Sequence, residues 1–235
     1  VTIKGIVFDK DGTLVDFHAT WFAIGDRLAL EAAGGDRTRA DELVSEAGYD
    51  FASARFRADS VFAAGTNADI VALWYAGQPA ETKRAMIRHF DEVTAREGAL
   101  QATPVVGTRE ALAELHAHGY KLAVATNDST AGAEQTLVAL GVAQMFVAAY
   151  GYDAVANPKP APDVIHAFCD LTGLRPGEVA MVGDNRHDLE TARAAGALAV
   201  GVLSGTGTRE TLASRADHIL DSVADLPGLL ARRDC

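Results

Sequence analysis

The sequence predicts an α/β fold, a doubly wound, Rossmann-like parallel sheet interrupted after its first strand by an inserted helical cap. Three observations carry that prediction. Short apolar runs recur along the chain, amphipathic helical patterns separate them from about residue 104 onward, and one long stretch, residues 17–100, has mostly helical periodicity. Near-continuous apolar strands alternating with helices are the pattern of a parallel sheet covered on both faces, because such strands are buried from both sides.

Taken in order, Ile3–Phe8 is the first run, β-branched and aromatic, and it stops at Asp9. The stretch 17–100 follows, with helical patterns over Phe22–Ala33, Arg39–Ala47 and Glu81–Glu97, punctuated by Gly34-Gly35 and Gln78-Pro79. A strand precedes this stretch and strands follow it, so it must leave the sheet and return. That makes it a cap above the strand ends, with residues 1–16 and 101–235 as the α/β core domain. Beyond it, helical patterns over Thr108–His118, Thr130–Leu140 and Pro162–Leu171 interleave with apolar runs at Leu122–Ala125, Met145–Ala149, Val179–Val182 and Leu198–Leu203. No internal repeat or low-complexity tract appears.

Composition narrows the function classes. With 49% apolar and 23% charged residues, the 235-residue chain can bury a substantial core without staples. Its formal charge of -11, from 21 basic and 32 acidic residues, repels nucleic-acid backbones and anionic membranes. Polyanionic partners are therefore not expected. Cys169 and Cys235 form neither a disulfide framework nor a metal-ligand spacing, which fits a reducing, cytoplasmic setting. The first eight residues read as a strand rather than a secretory signal, and no apolar run approaches the roughly 18 residues of a membrane-spanning helix.

Four polar clusters fall just after a predicted strand or between strand and helix: Asp9-Lys10-Asp11-Gly12-Thr13, Thr126-Asn127, Pro158-Lys159-Pro160, and Gly183-Asp184 with Asp188. In open parallel sheets ligands bind beyond the carboxyl ends of the strands, so these separate segments can converge on one site. Asp9 and Asp11, two positions apart, repel each other at close range unless a cation or a proton offsets one charge. Asp184 and Asp188 aggravate the repulsion. An oxygen-only cluster without His or Cys suits Mg²⁺, which takes few carboxylates, several waters and a substrate phosphate. Singly, Asp9 and Asp11 also read as turn residues before Gly12, Asp184 and Asp188 as acids at a helix start, and Lys159 as a surface lysine. Pro158 and Pro160, which restrict the backbone on both sides of Lys159, favour a fixed point charge.

Together and in this order, the four clusters resemble the motifs of the haloacid dehalogenase-like superfamily, and Phe8-Asp9-Lys10-Asp11-Gly12-Thr13-Leu14 is similar to its first motif. The resemblance covers residues 1–16 and roughly 101–205 and says little about the insert. It implies a magnesium-dependent phosphatase in which Asp9 is the nucleophile that forms an aspartyl-phosphate. Asp11 becomes the general acid and base, and its main-chain carbonyl joins Asp9 and Asp184 as a metal ligand. Thr126 and Asn127 become hydrogen-bond partners of the phosphoryl oxygens, and Lys159 neutralises charge on Asp9 and the transferring group. Asp188 stands behind the metal and orders its surroundings.

Within the superfamily, Asp at the position of Asp11 implies phosphate chemistry rather than dehalogenation. A sugar phosphomutase is the alternative reaction, but family mutases carry a His twelve positions after the nucleophile, where this chain has Trp21. A catalytically silent binding module is a third reading, and the full set of motif residues speaks against it. A cap inserted directly after the first motif resembles the phosphoglycolate phosphatase-like branch, which closes over small phosphorylated metabolites. The expected substrate is a small phosphomonoester with a second anionic group, 2-phosphoglycolate foremost, read in part by Arg57 from a polar loop within Phe51–Ala68. His18 is a candidate substrate contact at the cap hinge, His187 reads as a solvated residue at a helix start, and His116 and His118 face apart on one helix.

Overall fold

Gly5–Phe8 (β1) is buried along its whole length at the centre of a six-stranded parallel sheet. The computed structural model describes residues 2–233; Val1 and Cys235 lie outside the described residues. After β1 the chain leaves the sheet as α1 (Phe17–Ala32) and α2 (Arg37–Glu46), then forms a small antiparallel ribbon, β2 (Tyr49–Asp50) and β3 (Arg55–Phe56). Two short helices, α3 (Val61–Ala64) and α4 (Asn67–Trp74), lead to the long α5 (Ala80–Gln101). Strand and helix alternate from there: α6 (Thr108–Ala117), β4 (Lys121–Ala125), α7 (Thr130–Ala139), β5 (Phe146–Tyr150), α8 (Asp163–Thr172), β6 (Val179–Gly183), α9 (Arg186–Ala195) and β7 (Leu198–Val202). The chain closes with α10 (Arg209–Ala213), β8 (His218–Leu220) and α11 (Leu226–Arg233).

The sheet order is β5-β4-β1-β6-β7-β8, every neighbouring pair parallel. Alternation along β1 sends Ile6 and Phe8 to one face, with Leu122, Val124 and Val182, and Val7 to the other, with Ala123, Met181 and Phe168. Helices cover both faces, which explains strands that read as unbroken apolar runs. The insert has its own core, in which Phe17, Trp21, Ile24, Leu28, Phe56, Trp74 and Phe90 are buried together. No helix among the described residues is long and apolar enough to cross a membrane.

Two elements depart from expectation. The ribbon of β2 and β3 replaces an expected polar loop, and β8 extends the sheet where no strand was expected. Both are two or three residues long, too short for a periodic signal, and β8 is a half-buried edge. The segments that enter and leave the insert run side by side. The Asp16 amide donates to the Thr103 carbonyl at 2.8 Å, and the Val105 amide donates to the Leu14 carbonyl at 3.0 Å. The Asp16 side chain also caps α1 by accepting from the Ala19 amide at 3.1 Å.

Candidate active site

The convergence of the clusters follows from the strand order. Phe8 is in register with Val124 on one side and Val182 on the other, so Asp9, Thr126 and Asp184 leave three adjacent strands at their carboxyl ends. The Asp9 amide donates to the Val182 carbonyl at 2.8 Å, which extends the ladder one residue past β1 and fixes the turn. A cavity opens above these ends, and Asp9, Asp11, Thr126, Asn127, Lys159, Asp184 and Asp188 all line it. Its opposite wall comes from the insert and is largely apolar: Phe17, Trp21, Leu28, Phe62 and Ile70, with Asn67 and Thr94 as polar members.

Lys159 is buried, and its ammonium donates to Asp9 Oδ1 at 2.6 Å, Asp188 Oδ1 at 2.6 Å and the Ala125 carbonyl at 2.9 Å. Burial alone would strip its proton, but Asp188 and Asp9 outweigh that and hold it charged. One cation does not balance this floor. Asp9, Asp184 and Asp188 offer carboxylate oxygens within 4.8 Å of one another, all buried. Burial, followed by the charges of Asp188, Asp184 and Asp11, pushes the Asp9 carboxyl well above the ordinary range, although Lys159 pulls it down. Asp184 is pushed up to about 7, by burial first and then by Asp188, against Thr206 and Lys159.

A missing positive charge among hard oxygen donors is what a divalent cation such as Mg²⁺ supplies, so this donor set fits one. The neighbours of Asp184 are shaped around it. The Thr206 amide and hydroxyl donate to Asp184 Oδ2 at 2.7 and 3.2 Å. Gly12 adopts φ +84, and a Cβ there would lie 2.6 Å from the Asp184 carboxylate, so glycine is required twice over. Asp188 has both oxygens engaged: Oδ1 by Lys159, and Oδ2 by the Asn185 amide at 3.0 Å, where it caps α9.

The repulsion predicts a pH dependence. Between about pH 4 and 7 the folded, metal-free protein keeps a proton on Asp184 that the unfolded chain releases. The stability gained is full below about pH 4 and lost as pH rises through about 7. In chelator, the melting temperature is therefore expected to fall between about pH 5 and 7.5, with Asp9 adding to the fall in the same direction, and Asp184→Asn to reduce the slope. An equal slope in the variant would place the titrating group elsewhere.

Asp11 faces the cavity with one oxygen hydrogen-bonded and the other ion-paired. The Trp21 indole N–H, on α1, donates to Oδ1 at 2.6 Å, and the Lys10 ammonium lies 2.8 Å from Oδ2. Lys10 also reaches Asp128 Oδ2 at 3.0 Å and sits 4.9 Å from the centre of the Trp21 ring. Asn127 ties insert to core, its amide donating to the Ala64 carbonyl at 2.8 Å and the Lys159 carbonyl at 3.0 Å.

With this geometry in view, the family can be assigned. The haloacid dehalogenase-like hydrolase model matches residues 3–196. The chain belongs to the haloacid dehalogenase-like hydrolases. Among relatives, it is 33% identical to the phosphoglycolate phosphatase of Salmonella typhi, covering 95% of this chain and 91% of that one. It is 30% identical to that of Vibrio parahaemolyticus, covering 97% and 96%. Among solved structures, a predicted phosphoglycolate phosphatase of Haemophilus somnus superposes with a TM-score of 0.74 at 23% identity, over 97% of each chain. CbbY of Rhodobacter sphaeroides in complex with phosphate gives 0.66 at 24%, over 96% of each chain. At those identities the structural likeness is one of fold.

In this haloacid dehalogenase-like hydrolase the motif residues share one cavity, whereas Arg57 does not join them. Arg57 is exposed, and its guanidinium donates to the Ser45 carbonyl at 3.0 Å. The reason is strand alternation: Phe56 of β3 turns into the insert's core, so Arg55 and Arg57 on either side turn out. His18 also lies off the cavity, its ring edge-on to Phe17. His187, expected to be solvated, lines the cavity with Nδ1 3.2 Å from the Ala64 carbonyl. Sequence reasoning passed over Lys10, Asn67 and the loop Ser204-Gly205-Thr206-Gly207 that holds Asp184; glycines straight after an apolar run were the available signal for that loop.

Proposed function

We propose that the chain is a magnesium-dependent phosphatase of small phosphomonoesters that works through a phosphorylated Asp9. The observation that carries this reading is a buried carboxylate, Asp9, gripped through one oxygen by a buried lysine at the floor of a cavity that also presents a second carboxylate, Asp11. Asp9 attacks phosphorus; the bond from phosphorus to the leaving oxygen breaks, and that oxygen takes its electron pair together with a proton from Asp11. Water then attacks the aspartyl-phosphate, Asp11 accepts the water's proton, and the electron pair of the breaking phosphorus–oxygen bond returns to Asp9. Lys159 and Thr126 meet the phosphoryl oxygens, and Asp188 holds Lys159 in place; the side-chain amide of Asn127, whose two hydrogens go to the Ala64 and Lys159 carbonyls, ties the insert to this floor instead. Asp9, the Asp11 main-chain carbonyl and Asp184 would hold a magnesium ion, which would supply the positive charge that this floor lacks.

Residues 17–100 act as the cap that shields the reaction from water. The names of the relatives support 2-phosphoglycolate as the leading substrate. With Arg57 turned outward, His187 in the cavity wall is left as the candidate partner of the substrate's second group, because the amide hydrogens of Asn67 go to Asp91 and Thr94.

The test is turnover on a panel of small phosphomonoesters, 2-phosphoglycolate included, with magnesium present and then chelated. Activity should vanish with chelation. Asp184→Ala is expected to raise the half-saturating magnesium concentration by about tenfold or more, because it deletes a side-chain ligand from an ion with few protein contacts. Unchanged magnesium dependence would move the metal site elsewhere.

A further inference from the structure

Lys10 stands between the two carboxylates of the first motif, and the reaction above gives it no part. Its side chain is almost fully buried at 2% exposure, among the largest buried side chains of the molecule. A buried ammonium is costly unless each of its donors is used, and a well-packed apolar side chain of similar volume often serves stability as well or better. Packing alone therefore does not explain a lysine there. What distinguishes Lys10 is where its charge goes. It meets Asp11 Oδ2 at 2.8 Å, is anchored from the core by Asp128 Oδ2 at 3.0 Å, and lies 4.9 Å from the ring centre of Trp21, whose indole N–H holds the other Asp11 oxygen at 2.6 Å. Lys10, Asp11 and Trp21 form a closed triangle, and Asp128 ties it to the loop after β4.

We propose that Lys10 is a positioning residue that fixes the rotation of the Asp11 carboxyl, so that its proton is aimed at the leaving oxygen. The inference rests on the assignment of Asp11 as acid and base made above. Trp21 alone fixes one oxygen and leaves the group free to swivel about that contact. An ion pair on the other oxygen restrains the swivel. Orientation of this kind acts on the step in which the proton is delivered, not on phosphate binding, so its loss falls on leaving groups that need the proton.

The experiment compares kcat/KM, at saturating magnesium, for an alkyl phosphate, whose leaving oxygen needs a proton, and p-nitrophenyl phosphate, whose leaving group departs without one. Asp11→Asn is the reference. If it fails to lose far more on the alkyl substrate, the assignment of Asp11 fails. With that split in place, Lys10→Met is expected to lose about 10–100-fold on the alkyl phosphate and about threefold or less on the aryl phosphate. It should also add little to the loss in an Asp11→Asn background, since it acts through Asp11. Equal losses on the two substrates, or a Lys10→Met penalty added in full on top of Asp11→Asn, would overturn the role of Lys10 while leaving that of Asp11 standing. If Lys10→Met folds poorly, Lys10→Met with Asp128→Asn removes the stranded charge, and the same split decides.

Discussion

Asp9→Asn is expected to lower phosphate release by about a thousandfold or more while the fold persists. An amide matches the carboxylate in shape but cannot form the phosphorylated intermediate. Stability should hold or rise, because the substitution removes one of three mutually repelling buried carboxylates, one whose charged form burial already disfavours. Phosphate release and a melting curve without metal measure both effects. Activity within about tenfold of the unsubstituted protein would remove Asp9 from its role, and a large fall in melting temperature would show that its charge supports the fold.

Lys159→Met should be the more damaging change, because it harms both chemistry and fold. The ammonium is the buried cation that contacts both Asp9 and Asp188. Removing one partner of a buried ion pair strands the other, at a cost of about 3–5 kcal/mol, and here two carboxylates are stranded. Denaturant melts in chelator should show that loss, and magnesium should recover part of it. Turnover is expected to fall by about a hundredfold or more even at saturating magnesium, because a preorganised charge at the transferring phosphoryl group is gone. A variant as stable and as active as the parent would reduce Lys159 to a structural lysine.

The sheet was legible because its strands are buried on both faces. Runs such as Val179–Val182, flanked by helical patterns, read as buried strands, whereas the sheet order that sets Asp9, Thr126 and Asp184 at the ends of neighbouring strands is visible only in the structure. Long helices such as α1 and α5 were visible for the same reason of length, although α1 begins at Phe17, ahead of its clearest apolar pattern. Lys10 was illegible because a lysine between two aspartates reads as solvated from sequence alone, and only the arrival of Trp21 and Asp128 buries it. Arg57 lies outside the cavity for a reason that the expectation left out, local alternation, because only guanidinium chemistry was weighed. Arg55-Phe56-Arg57 already holds the polar-apolar-polar signature of a half-buried strand.

The central place of β1 has a consequence for how the molecule is made. Its hydrogen-bonding partners are residues 121–124 and 179–182, so the strand that leads into Asp9 is synthesised well before either neighbour and is paired on its second side only about 170 residues later. At roughly 5–20 residues per second the ribosome needs on the order of ten to thirty seconds to deliver β6. The helices of the insert, built on shorter-range contacts, can form during that wait, whereas Gly5–Phe8 cannot complete its pairing. Folding of the sheet is thus set by its most distant pairing, and β1 stays open on one side until residues 179–182 arrive. A strand of only four residues keeps that exposed edge short, which limits its capacity to recruit a neighbouring chain.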